Sequence, residues 1–130
     1  MEERKTIGSG TYWENIVGYS RALRIGNIVE VAGTTSMAKN EVIGKGDAYH
    51  QTKFILDKID KTLTKLGCSM KDVVRTRMYV TNIEDWEAIG KAHGEVFRDI
   101  KPVATMVEVS RLIKDELLVE IEVSAIIHSA

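Results

Sequence analysis

The sequence predicts an α+β sandwich, a mixed six-stranded sheet with two helices on one face. Three observations lead there. Strand-like and helix-like stretches follow the order β-β-(short β)-α-β-α-β-β, without the clean repeats of a parallel sheet. The stretches "DVVRTRMYVT" and "LLVEIEVSAI" alternate with period two, as half-buried strands do. Two other stretches carry apolar residues at helical spacing, with charges between them. At 130 residues the chain is expected to form one domain, 1–130.

The first ten or so residues are polar and Gly-rich and read as an irregular lead-in. "YSRALRIGNIVEVAG" gives two short strands around Gly26-Asn27, a turn dipeptide, and so a hairpin that ends at Gly33. A looser segment follows, broken at Gly44 and Gly46. From Asp47, a capping residue, Ala48, Ile55, Ile59, Leu63 and Leu66 recur with helical period, and Gly67 ends the helix. In the next strand Val74, Thr76, Met78 and Val80 share one face, and Val73, Arg75, Arg77 and Tyr79 the other. Asn82 and Asp85 open a second helix that runs to Phe97, with Trp86, Ile89, Gly90, His93 and Phe97 as its inward stripe. A loop holding Pro102 leads to the strand "TMVEV", a turn at Lys114-Asp115, and the last strand.

That last strand poses the functional question. Val119, Ile121, Val123, Ala125 and Ile127 form one face, assigned to the helices, so Leu118, Glu120, Glu122, Ser124 and Ile126 form the other. Arg75, Arg77 and Glu108 are placed on the same uncovered face. Such a mixture suits a solvated face with cross-strand ion pairs, a subunit interface, or a ligand cleft in which a carboxylate moves a proton. Pattern alone ranks the first two together and the cleft behind them, because structural ion pairs outnumber catalytic acids. Leu118 and Ile126 favour the interface.

Composition narrows the function classes. With 18 basic against 19 acidic side chains the net charge is −1, which provides no electrostatic footprint for nucleic acid or anionic membrane. No window is apolar enough to span a bilayer, "MEERKTIG" lacks a signal core, and the lone Cys68 has no disulfide partner. Together these point to the cytoplasm. His50 and His128 lack partners at metal-ligand spacing, so neither a metal nor another cofactor is expected. His93 reads as a hydrogen-bonded packing residue, and Cys68 as an inert thiol exposed after Gly67. "GSG" and "GKG" are too short for phosphate loops.

Taken in register, "GYSRALRIGNIVEVAGTTS", "GCSMKDVVRTRMYVTNIEDWEAIGKAHGEVF" and "PVATMVEVSRLIKDELLVEIEVSAI" resemble the YjgF/Rid family of reactive-intermediate (enamine/imine) deaminases, some labelled endoribonuclease L-PSP. The likeness runs from about Val17 to Ile127. It implies a chorismate mutase-like fold and a homotrimer, with a small-molecule cleft at each subunit boundary. The chain's partners are then its own copies and a small molecule, with no membrane and no nucleic acid. It also moves the acidic sheet face from plain surface to interface plus cleft.

The resemblance carries site residues with it. Glu120 of "VEIE" corresponds to the glutamate that positions the hydrolytic water, Tyr19 to the pocket tyrosine, and Gly33 to the strand-end glycine. The arginine that grips the substrate carboxylate is missing, because its place falls on Ala104, with Thr105 and Met106 after it. An asparagine common in the second helix falls on Gly90. The expected pocket is Tyr19, Gly33, Trp86, Thr105, Met106 and Glu120, preferring ligands without that carboxylate. Ala104 offers no donor in place of a charge-assisted pair worth about 1.5–3 kcal/mol per bond, so deaminase activity should be weak or altered. Among substitute cations Arg77 is preferred over Arg21 and Arg111, although pairing with a neighbouring glutamate is the commoner fate of such a residue. A non-catalytic metabolite-binding trimer is the alternative. The ribonuclease or translation-inhibitor label of the family finds no clustered Lys and Arg here.

Overall fold

From residue 3 to residue 129, the span that the computed structural model describes, the chain forms β1 (Arg4–Ile7), α1 (Tyr12–Val17), β2 (Ala22–Ile25), β3 (Ile28–Thr35), β4 (Met37–Ala38), β5 (Glu41–Val42), α2 (Ala48–Lys65), β6 (Val73–Val80), α3 (Trp86–Phe97), β7 (Val103–Glu108) and β8 (Val119–Ile126). Six strands make one sheet in the order β1-β2-β3-β8-β6-β7. The β6–β7 pair is parallel and the others antiparallel, so the sheet is mixed as expected. Strands β4 and β5 form a separate small ribbon. No helix among the described residues is long and apolar enough to cross a membrane.

The local signals act as read. The Asp47 side chain accepts the His50 N–H (3.0 Å), and the α2 C-terminus closes with Gly67 left-handed (φ 74°) and the Cys68 N–H on the Leu63 carbonyl (3.0 Å). Gly26 (φ 60°) supplies the turn between β2 and β3. Helices α2 and α3 lie on one sheet face. There Ile55, Ile59 and Leu63 meet Ile89, Phe97, Val29, Val31, Met78, Val80, Val119, Ile121 and Val123 in a single buried core. His93 is a packing residue. Its Nε2 shares a hydrogen bond with Thr76 Oγ1 (2.9 Å), its ring rests on Phe97, and burial lowers its pKa.

Several expectations need correction. The lead-in is not irregular, because Arg4–Ile7 adds an edge strand to β2 and Tyr12–Val17 is helical. Both are too short and too exposed to carry a hydrophobic period. The alternation of β6 breaks at Val74. Val73 pairs with Ala125 and Arg75 with Ser124, so one extra residue puts Val73, not Val74, in the core. Glu108 lies beside Val80 and accepts the Ile83 N–H (2.9 Å), which puts it on the helix side of the sheet. Gly90 is exposed and Trp86 is 55% exposed, so α3 buries Ile89, Ala92 and Phe97 instead. Cys68 is only 5% exposed. Burial, with the nearby Asp72 charge, pushes its thiol up to about 11, so Cys68 is not the exposed thiol expected after Gly67.

One buried amide fixes where the last strand begins. Gln51 of α2 donates to the Gly44 carbonyl (3.1 Å) and the Glu116 carbonyl (3.0 Å), and its Oε1 accepts the Leu118 N–H (2.9 Å). The side chain is fully buried. Gln51→Leu should leave those three backbone groups unpaired and lower unfolding free energy by about 2–4 kcal/mol in urea titration.

Candidate active site

On the face that the helices leave open, β3 carries the feature that shapes the site. Val31 pairs with Val123 and Thr34 with Ile121, so Ala32 and Gly33 both stand opposite Glu122. This is a β-bulge. Val31 and Thr34 both turn into the core, and Gly33 presents bare backbone to the open side. The space is taken by Glu120, since a Cβ on Gly33 would lie 2.0 Å from Glu120 Oε2. Glycine is needed here for close approach of a carboxylate, not for an unusual φ.

The register places the neighbours of Glu120. Across the sheet it faces Thr35 on β3 and Tyr79 on β6, and in the next row Glu122 faces Arg77, which faces Thr105 on β7. The Tyr79 hydroxyl donates to the Glu122 carboxylate, which raises the phenol pKa. Glu120 itself accepts no hydrogen bond from the described residues and is half-buried. Burial raises its pKa, the Arg21 charge offsets part of that, and the Glu122 charge adds to it, leaving the carboxyl above its ordinary value.

Two cations approach the same end of β3. Arg21, just ahead of β2, donates Nη2 to the Gly33 carbonyl, and its guanidinium lies 6.0 Å from the centre of the Tyr19 ring. Its Nε is buried without a partner. Lys58 comes from α2, and its ammonium donates to the carbonyls of Thr35 (2.9 Å) and Met37 (3.0 Å). Burial, and the Arg21 charge after it, hold the Lys58 pKa below the usual lysine value. Beside them an open cleft of about 360 Å³ is lined by Tyr19, Ser20, Leu23, Glu30, Ala32 and Glu122, among others.

The chain thus brings together Glu120, Gly33 and, through Arg21, Tyr19. Arg77 and Thr105 lie one row away on the same face. Met106 faces Met78 and packs against the core, while Trp86 opens α3, so both belong to the helix layer. The expected pairing of Arg77 with a glutamate is not formed among the described residues, where Glu122 takes Tyr79 instead. Sequence reasoning undervalued Arg21, whose two-residue spacing from Tyr19 was the available signal. It missed Lys58, which looks like one more solvated lysine of an amphipathic helix. No three His, Cys, Asp or Glu side chains cluster as metal ligands among the described residues. A half-buried carboxyl with a raised pKa, beside an under-used guanidinium, can take up and return a proton near an anionic or polarised group.

Comparisons with known proteins agree with this architecture. The family model described as Endoribonuclease L-PSP matches residues 11–127. An uncharacterized protein of Streptomyces coelicolor is 36% identical over 124 residues, covering 95% of this chain and 92% of that protein. The 3-aminoacrylate deaminase RutC of Acinetobacter baylyi is 34% identical over 104 residues, covering 79% and 82%. A crystal structure from Mycobacterium tuberculosis, of a member of the YjgF/YER057c/UK114 family, superposes with a TM-score of 0.87 at 45% identity, covering 96% and 100%.

Two outcomes test the geometry. Gly33→Ala should cost about 1–3 kcal/mol, and most of that loss should vanish when Glu120→Ala is added, a coupling read by a double-mutant cycle in urea. The second concerns pH. A carboxyl whose folded pKa exceeds its unfolded value contributes stability while protonated, and loses it as pH rises through the folded pKa. Glu120→Gln should therefore raise the melting temperature at pH 7, and the gain should disappear below the ordinary carboxylate range, as measured by calorimetry at a series of pH values.

Proposed function

The chain belongs to the endoribonuclease L-PSP family, the YjgF/Rid group, and from that membership we propose a homotrimer that hydrolyses small enamines or imines in clefts between subunits, with Glu120 as the proton carrier. The observation that carries this reading is the Glu120 carboxyl, half-buried on bare Gly33 and raised in pKa by that burial.

Assembly is supported by the open face itself. Ile25 (38% exposed), Ile28 (53%) and Ile126 (47%) stand in one row across β2, β3 and β8, with Val103 and Val107 exposed further along. An apolar row of this kind beside arginines without ion-pair partners fits burial against another copy. A pocket that uses both Glu120 from the open face and Met106 and Trp86 from the helix layer draws them from different subunits.

In the proposed reaction water attacks the imine carbon, and Glu120 takes a proton from that water as the C–O bond forms. The C=N electron pair moves to nitrogen, which is protonated. Glu120 returns its proton to that nitrogen as the C–N bond breaks, the solvent that protonated the imine nitrogen takes the hydroxyl proton of the adduct, and the products are a carbonyl compound and ammonia. Water and imine are the only reactants needed. An enamine enters after protonation to the imine.

Ala104 sets the limit on this activity. It sits exposed on β7, and its methyl offers nothing to a substrate carboxylate gripped from that position. A reaction weaker or altered relative to the deaminase pattern follows. The same residue favours the alternative of a trimer that binds a metabolite without turning it over. The net charge of −1 gives a ribonuclease reading no support.

The test uses freshly generated 2-iminopropionate and 3-aminoacrylate with the purified protein. Sedimentation should give a species three times 14.5 kDa. Ammonia release should be measurable in the wild type, absent in Glu120→Gln with the trimer intact, and faster in Ala104→Arg by about tenfold in kcat/KM on 2-iminopropionate. A single 14.5 kDa species, or turnover that survives Glu120→Gln, overturns the proposal. Ligand-induced thermal shifts without ammonia release select the binding alternative.

A further inference from the structure

We infer that Arg21 takes over the substrate's anionic group, so that one chain supplies both the anion grip and the proton carrier. The inference rests on the function proposed above and names the substrate class of that site, namely short imines or enamines bearing a carboxylate or similar oxyanion.

Four observations converge on Arg21. Its guanidinium makes one hydrogen bond among the described residues, to the Gly33 carbonyl, although such a group carries five N–H donors. Among the described residues its Nε is buried without a partner, which in a folded protein calls for an explanation. No ion pair among the described residues restrains it. Glu14, whose charge it feels, is occupied by the Ser9 N–H (3.0 Å), the Ser9 hydroxyl and the Thr11 hydroxyl (3.0 Å). Glu120, whose charge it also feels, is likewise not paired with it within 4.0 Å. The guanidinium is nevertheless held in place by the Tyr19 ring beneath it.

Gly33 lies between the two functional groups. Its carbonyl receives Arg21, and the space a side chain would fill receives Glu120. A small molecule approaching from the cleft that Tyr19 lines would meet the guanidinium with an oxyanion and the carboxylate that covers Gly33 with its reacting end. The Lys58 ammonium, on the next carbonyls along β3, adds positive charge to the same corner. Arg77, the cation preferred from sequence, stands a row away opposite Glu122 and beside Tyr79. The anion therefore shifts from the β7 edge, where Ala104 cannot hold it, to the bulge of β3.

The experiment compares 2-iminopropionate with its neutral carboxamide in the wild type, Arg21→Gln, Arg21→Lys and Arg77→Gln. Arg21→Gln should raise KM for the carboxylate substrate by about 10- to 100-fold, the loss expected for a charge-assisted pair, and change kcat/KM for the amide by less than about threefold. Arg21→Lys should recover part of the loss, and should Arg21→Gln fail to assemble, a rise in KM confined to the carboxylate substrate in Arg21→Lys carries the test. Equal losses on both substrates, an unchanged KM, or the same effect from Arg77→Gln overturn the inference. If the wild type releases ammonia from neither substrate, the catalytic reading fails by itself. The grip is then read by titration calorimetry with pyruvate, whose binding should vanish in Arg21→Gln, and binding retained in that variant overturns it.

Discussion

Burial of one carboxylate against a glycine that has no side chain to refuse it is the constraint on which the site depends. Glu120 fits where a Cβ on Gly33 would stand 2.0 Å from its oxygen. Partial desolvation there disfavours its charged form, and neither Arg21 nor a hydrogen bond from the described residues removes that cost. The fold tolerates the arrangement because the opposite face of the same strands is closed by α2, α3 and a fully apolar β8 row of Val119, Ile121 and Val123. The packed core lies on one side of the sheet, and the half-buried carboxyl faces the other.

The open face joins two kinds of unfinished surface. Ile25, Ile28 and Ile126 expose apolar area that water does not favour, and Arg77 and Glu120 lack ion-pair partners among the described residues. In the homotrimer proposed above, both deficits would be met by the same event, the approach of further copies of the chain. Under that proposal, assembly and site formation become one problem.

Much of the fold was legible in the sequence because its signals are local. Asp47 and Gly67 bound α2 through bonds within one turn, and the period of two in β8 assigned Val119, Ile121, Val123 and Ala125 to the core, although Leu118, assigned to the open side, also packs partly against it. The misses are non-local. Arg4–Ile7 is a strand only because β2 offers it an edge, and Val74 loses its place to a bulge that depends on β8. The site divided the same way. Glu120, Gly33 and Tyr19 came from resemblance and position, whereas Arg21 and Lys58 declare themselves only when their donors are traced to backbone carbonyls of β3.

The bulge in β3 also governs how such a chain can change over time. Val31 and Thr34 both point inward across three residue steps, which a regular strand cannot do. Losing either Ala32 or Gly33 would restore regular pleating with Val31 and Thr34 still inward, and would leave one residue, not two, opposite Glu122. At this point the extra residue and its lack of a side chain act together, so a strand shortened at Gly33 and a substituted glycine would each evict the same carboxylate.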